Sequence, residues 1–239
     1  MSDCQPFIIE NAISFWPAFS EPSSWKNPTY LISAVGKHRL VPVEVGSKYT
    51  DPNWTQKLVP FGQYIDSIQS GDESTYLAQY NLFKHSSSLQ SDFIIPDYCF
   101  VDAACLDSQK YLNPQIDTVK QCCGNTTLST NIWLGPANSV SPLHYDDFHN
   151  LFAQVVGYKY VKLISNKYSD KVYPYPGSCM LSNTSMVDAE YPNFIQFPDF
   201  KHIEFVDCIV GPGDLLYIPP RFWHYLRATT TSISISNWF

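Results

Sequence analysis

From residue 131 to the C-terminus the chain reads as one short apolar segment after another, at 131–134, 143–147, 151–156, 160–165, 203–210, 215–218, 224–228 and 232–238. Most are rich in β-branched or aromatic residues, and Gly, Pro, Asn or Asp separates most of them, as in Gly211-Pro212-Gly213-Asp214. Segments of this length and composition fit strands better than helices. Many short strands between such turns imply a sandwich or a barrel. Ahead of them the pattern is mixed: 25–34 and 60–69 predict short helices and 39–45 a strand, while Ser86-Ser87-Ser88 reads as a loop. The 239 residues contain no repeat, linker or low-complexity tract and fit one domain, with a supporting region at about 1–128 and a β core at about 129–239. Aromatics at 15% and charged residues at only 15% argue for a packed core over disorder.

Within the strand-rich half lie Ser141-Pro142-Leu143-His144-Tyr145-Asp146 and, much later, Tyr217-Ile218-Pro219-Pro220-Arg221-Phe222-Trp223-His224. Two residues apart on a strand, His144 and Asp146 would point to the same side of a sheet and could share a metal ion. His224 on another strand would complete a set of two imidazoles and one carboxylate. That set is the facial triad of non-haem Fe(II) oxygenases, which leaves the opposite face of the metal open. The pattern also occurs by chance in β proteins, where a His on an apolar strand is a hydrogen-bonded core residue. Lys159 follows Gly157 in a stretch read here as a hairpin with its turn near that glycine. Among so many apolar neighbours, a buried lysine requires an anion, and a dicarboxylate cosubstrate would supply one; a solvated lysine beside a turn is the alternative.

The net charge of −7 and the absence of any run of Lys or Arg disfavour nucleic acid and suit a basic polypeptide partner. The seven cysteines include no C-x-x-C pair, and Cys122-Cys123 lacks zinc spacing, so free thiols in a reducing compartment are expected. No apolar stretch would span a bilayer, and Met1 to Pro6 lacks the features of a signal peptide. A soluble intracellular protein, nuclear or cytoplasmic, is the expectation.

These residues sit in stretches that resemble the JmjC (Jumonji C) oxygenases. The matching stretches run from Val41-Pro42-Val43-Glu44-Val45-Gly46-Ser47-Lys48-Tyr49-Thr50-Asp51 and Trp54 through Tyr76-Leu77-Ala78-Gln79, Ile95-Pro96-Asp97-Tyr98-Cys99 and Trp133. They continue through Gly135-Pro136, Ser141-Pro142-Leu143-His144, Gly157 with Lys159-Tyr160, and Trp223-His224-Tyr225. The resemblance implies a mostly β fold, a double-stranded β-helix or cupin-like jelly roll, with N-terminal helices buttressing one sheet. It implies His144, Asp146 and His224 as iron ligands, Tyr76 and Lys159 as holders of the distal carboxylate of 2-oxoglutarate, and Asn150 and Ser141 as polar neighbours of the cosubstrate. Glu44, Trp54 and Trp133 match positions that line the substrate pocket. The cofactors implied are Fe(II), 2-oxoglutarate and O2, with ascorbate as reductant in vitro.

The activity implied is hydroxylation of a protein side chain, with an arginine C–H as leading target. The partner would be a ribosomal or chromatin-associated protein or a histone tail. Removal of methyl groups from histone lysine uses the same chemistry and is the alternative, while a non-oxidising metal cupin and a silent JmjC scaffold are readings of other classes. The segment 102–127, which contains Cys122-Cys123, is longer than the resemblance leads one to expect and is read as a surface loop at the pocket rim.

Overall fold

The computed structural model describes residues 4–100, 128–177 and 179–239. The N-terminal half supplies β1 (Phe7–Ile9), α1 (Pro28–Val35), β2 (Leu40–Val45), β3 (Thr55–Pro60), α2 (Phe61–Gln69), β4 (Thr75–Tyr80) and α3 (Ser87–Ser91). The second half supplies β5 (Ser129–Gly135), β6 (Val140–His144), β7 (Asn150–Val156), β8 (Lys159–Ile164), β9 (Phe205–Val210), β10 (Leu215–Ile218), β11 (Trp223–Ala228) and β12 (Ser232–Trp238). An eight-stranded sheet runs β1-β10-β7-β12-β5-β4-β2-β3, and a four-stranded sheet runs β6-β11-β8-β9. Every pairing is antiparallel, and the two sheets form the expected jelly roll.

Strand periodicity sorts side chains between two environments. On β12, Ile233 and Ile235 join the core under the helices, while Ser232, Ser234 and Ser236 are buried on the other face. β7 does the same: Leu151, Ala153 and Val155 pack with α1 and α2 residues such as Leu31, Val35, Phe61 and Ile65. Phe152, on the inner face, packs with Val161, Leu163 and Leu226 of the smaller sheet. The helices therefore buttress the larger sheet, as expected. Burying one such Leu or Ile side chain stabilises by about 1.5–3 kcal/mol.

Ser86-Ser87-Ser88 is not a loop: Ser86 Oγ accepts from the Leu89 amide and caps α3, which starts at Ser87. Four further expectations need correction. The first helix begins at Pro28, not residue 25, because Asn27 Oδ1 accepts from the amides of Thr29 and Tyr30 and so caps it. Trp25 is instead a buried core residue whose indole donates to Asp92 at 2.9 Å. Residues 150–164 are not a hairpin: β7 pairs with β10 and β12, whereas β8 pairs with β11 and β9. Gly157, at φ 70°, turns the chain from one sheet into the other. β9 starts at Phe205, two residues later than read, because Pro198–His202 is a 3-10 turn. The fourth concerns β6, which ends at His144, so Asp146 lies beyond the strand.

Candidate metal and cosubstrate site

β6 and β11 are neighbours, and His144 stands directly opposite His224 in their register. Between this pair and Leu226↔Ser141 the register shifts, so β6 carries one extra residue. Such a bulge re-aims side chains, and both Ser141 and His144 line the same interior cavity. Pro142 sits in the bulge on an edge strand, where its missing N–H costs the ladder little.

Asp146 reaches the same place from a pinned turn. The amide of Tyr145 donates to Asn183 O at 3.0 Å, Asn183 Nδ2 donates to Tyr145 O at 2.8 Å, and the amide of Arg221 donates to Asp146 O at 2.6 Å. Loops from two other parts of the chain thus hold the carboxylate in register with the histidines. One ligand atom each from His144, Asp146 and His224 lie within 4.8 Å of one another. His224 Nε2 is 3.6 Å from Asp146 Oδ2, and the imidazole centroids are 4.2 Å apart.

The tautomers follow from the partners. His144 Nδ1 lies 2.7 Å from Pro142 O, and His224 Nδ1 lies 2.8 Å from Phe222 O. A carbonyl only accepts, so each Nδ1 carries the hydrogen and each Nε2 lone pair is left for a metal. Burial pushes the His144 imidazole down to about 4, with His224 adding to the effect. For Asp146 burial acts upward, but the His224 hydrogen bond and the nearby imidazoles outweigh it, and the carboxyl stays below its usual value. Neutral imidazoles with an ionised carboxylate are the state a divalent metal requires.

Behind the triad, a narrow cavity of about 20 Å³ runs toward Lys159. Lys159 opens β8 and is 2% exposed. Its Nζ donates to Tyr76 Oη at 3.1 Å and lies 5.2 Å from the Phe152 ring centroid. Among the described residues no carboxylate forms an ion pair with it. Burial pushes its ammonium down to about 7. Burial likewise drives the Tyr76 phenol above its ordinary value, with Glu44 adding to this and Ser141 opposing it. Two further polar atoms facing this space lack partners: Asn150 Oδ1 and Trp238 Nε1 are buried without a hydrogen bond. A buried cation and an orphaned acceptor and donor, in one cavity that reaches the triad, fit a small carboxylate-bearing ligand.

A larger cavity of about 520 Å³ opens on the solvent side of His144 and Asp146. Glu44, Trp54, Tyr76 and Trp133 line it, together with Gln79. Glu44 has no basic partner among the described residues, and burial holds its carboxyl above the ordinary value while the Trp54 indole acts in the opposite sense. Trp133 is fixed by its indole N–H, which donates to Ser236 Oγ at 2.9 Å.

A family model described as a cupin-like domain matches residues 1–239. Curated relatives include "Lysine-specific demethylase JMJ30" of Arabidopsis thaliana, 40% identical over 98% of this chain and 49% of the relative. "Lysine-specific demethylase 8" of Danio rerio is 39% identical over 98% and 53%, and "Jumonji C domain-containing protein 5" of Drosophila melanogaster is 34% identical over 98% and 54%. The chain belongs to the JmjC-type cupin-like domain family. It spans about half the length of these curated relatives.

All ten residues singled out from the sequence of this JmjC domain line the two cavities or bond directly to a residue that does. Two participants were missed. Trp238 reads as the end of a strand, and only the fold shows its indole N–H orphaned in the inner cavity. Asn183 lies in a turn with no periodicity, and its role in pinning Tyr145 has no sequence signal. The segment 102–127, with Cys105 and Cys122-Cys123, lies outside the described residues, whereas Cys99, Cys179 and Cys208 are free thiols as expected. No helix among the described residues is long and apolar enough to cross a membrane.

Proposed function

We propose that this domain is an Fe(II)- and 2-oxoglutarate-dependent dioxygenase that hydroxylates an arginine C–H of a protein substrate. The observation that carries the reading is Lys159: a buried ammonium without a carboxylate partner, at the end of a cavity whose other end is a His/Asp/His cluster. His144, Asp146 and His224 would hold the iron through both Nε2 atoms and a carboxylate oxygen. Lys159 and Tyr76 would take the distal carboxylate of 2-oxoglutarate, with Asn150, Trp238 and Ser141 supplying further polar contacts along the cavity. When bound, iron with 2-oxoglutarate and O2 supplies the oxidation of an unactivated C–H bond, with succinate and CO2 as coproducts.

The protein's part is positioning and exclusion of water. Nδ1–H···O=C bonds fix both imidazoles, and the Asn183 and Arg221 contacts fix the carboxylate. Lys159 recognises a carboxylate by a charge-assisted bond that gains strength in a dry cavity. A non-oxidising metal cupin or a silent scaffold has no use for such a lysine, which destabilises the fold until an anion reaches it.

The substrate assignment rests on Glu44, a half-buried carboxylate without a cation beside Trp54 and near Trp133. A guanidinium pairs with a carboxylate and stacks on aromatic faces. Relatives named as lysine-specific demethylases favour a second reading, in which an N-methyl lysine occupies the same place. Incubation with arginine and methyl-lysine peptides separates the two by mass spectrometry. A gain of one oxygen on arginine without formaldehyde is expected, and loss of a methyl group with formaldehyde from lysine alone would overturn the arginine reading. Ascorbate is expected to sustain turnover in vitro, and a basic ribosomal, chromatin-associated or histone sequence is the proposed partner class.

A further inference from the structure

The solvent-side cavity does not end at Glu44. A second groove, of about 590 Å³, shares Glu44, Tyr76 and Val140 with it and extends toward Asp188 and Glu190. Its charge is one-sided. Lys48 and Arg227, the basic residues that line it, are each consumed by an acid of the same groove: Lys48 Nζ lies 3.1 Å from Asp188 Oδ2 and Arg227 Nε 2.8 Å from Glu190 Oε1. Glu44 and Glu73 remain without a basic partner among the described residues.

Glu73 accepts a single hydrogen bond, from Asn138 Nδ2 at 3.1 Å, which leaves most of its lone pairs available. Two residues on, Thr75 also lines the groove and is 5% exposed, yet its buried Oγ1 has no hydrogen-bond partner. A buried hydroxyl without a partner is costly, and a donor that reached it from the groove would relieve that cost. Tyr191, 82% exposed, offers an aromatic face to a cation at the same groove.

We propose that this groove is a second subsite for the polypeptide substrate, which takes a basic side chain two or three residues from the one oxidised at the metal. The inference rests on the reading of the main site as a protein-oxidising one. Its spacing comes from the chain: Glu44 pairs with Tyr76, and Glu73, in the segment that leads into β4, precedes Tyr76 by three residues, at most about 10 Å of extended chain. An extended substrate covers that span in about three residues. The ammonium or guanidinium would donate to Glu73 and to Thr75 Oγ1, while the Lys48–Asp188 and Arg227–Glu190 pairs hold the walls.

The test uses peptides with one target arginine and a second arginine, or a glutamine, placed one to four residues to either side. KM for oxidation and Kd by fluorescence anisotropy are measured on the whole chain. The second arginine at two or three residues should lower both constants about three- to fivefold at low salt, the range of a partly exposed ion pair, and less at high salt. Glu73→Gln keeps the Asn138 contact and should erase the gain, while Glu73→Lys should transfer the preference to a glutamate at that position. An equal gain in Glu73→Gln, or no gain at any spacing, would overturn the subsite. Binding that depends on Glu73 while no arginine is oxidised would uphold the groove and remove the arginine reading alone.

Discussion

Replacing Lys159 with Met should stabilise the cofactor-free protein while impairing its use of 2-oxoglutarate. Methionine keeps the length and apolar stem that pack against Phe152 and Tyr76, but removes a charge from a site 2% exposed. The ammonium is pushed from 10.5 to about 7 by burial. At about 1.4 kcal/mol for each tenfold change in ionisation, that displacement is worth up to roughly 4–5 kcal/mol, which relaxation and water entry reduce to about 2–4. A lysine with a lower pKa folded than unfolded binds fewer protons in the folded state. Wild-type stability should therefore rise as pH climbs from about 7 toward the unfolded value of about 10.4, and the Met variant should lose that slope. Its melting temperature at pH 7 without cosubstrate should exceed wild type by about 4–15 °C for a chain of this size. Its KM for 2-oxoglutarate should rise on the order of ten- to a hundredfold, the loss of one charge-assisted bond, with iron affinity nearly intact. Calorimetry across pH, beside separate titrations of iron and 2-oxoglutarate, reads all of this. A melting temperature at or below wild type, or an unchanged KM, would refute the reasoning.

His144→Ala or Asp146→Ala should abolish stoichiometric iron binding and 2-oxoglutarate turnover with a melting transition still present; metal analysis of the purified variants checks this. Glu44→Gln should lower arginine-peptide oxidation more than tenfold relative to succinate formed without peptide, since a charged acceptor becomes a neutral one. In Gly135→Ala the new Cβ would lie 2.5 Å from the Tyr76 ring and 2.5 Å from Ser139 Oγ. Displacement of Tyr76 should cost about 1–3 kcal/mol of stability and raise the KM for 2-oxoglutarate, both measurable beside wild type.

Much of this architecture is legible because the chemistry of each strand follows its two faces. The Ser/Ile alternation of β12 exists because one face meets the helices and the other lines a polar interior, so period and polarity coincide. His144, His224 and Lys159 were legible as polar groups embedded in apolar strands. The β7-to-β8 connection reads as a hairpin because Gly157-Tyr158 has hairpin length, whereas partner choice is decided by segments as distant as β12. From the sequence, the triad follows from one strand that carries both His144 and Asp146. In fact the strand stops at His144, and Asn183 and Arg221 do what the pleat was expected to do. β3 and β4 escaped the pattern for different reasons. β3 is a largely exposed edge without alternation, and β4 carries a register shift with Gln79 at φ 49°.

Succinate formation from 2-oxoglutarate by the purified chain, followed with Fe(II), ascorbate and O2 and without any peptide, tests the oxygenase assignment most directly. The predicted result is slow turnover that saturates at one iron per chain, stops with a chelator, and is lost in Asp146→Ala. One bound iron per chain with no succinate above the metal-free control, at saturating 2-oxoglutarate and O2, would contradict it.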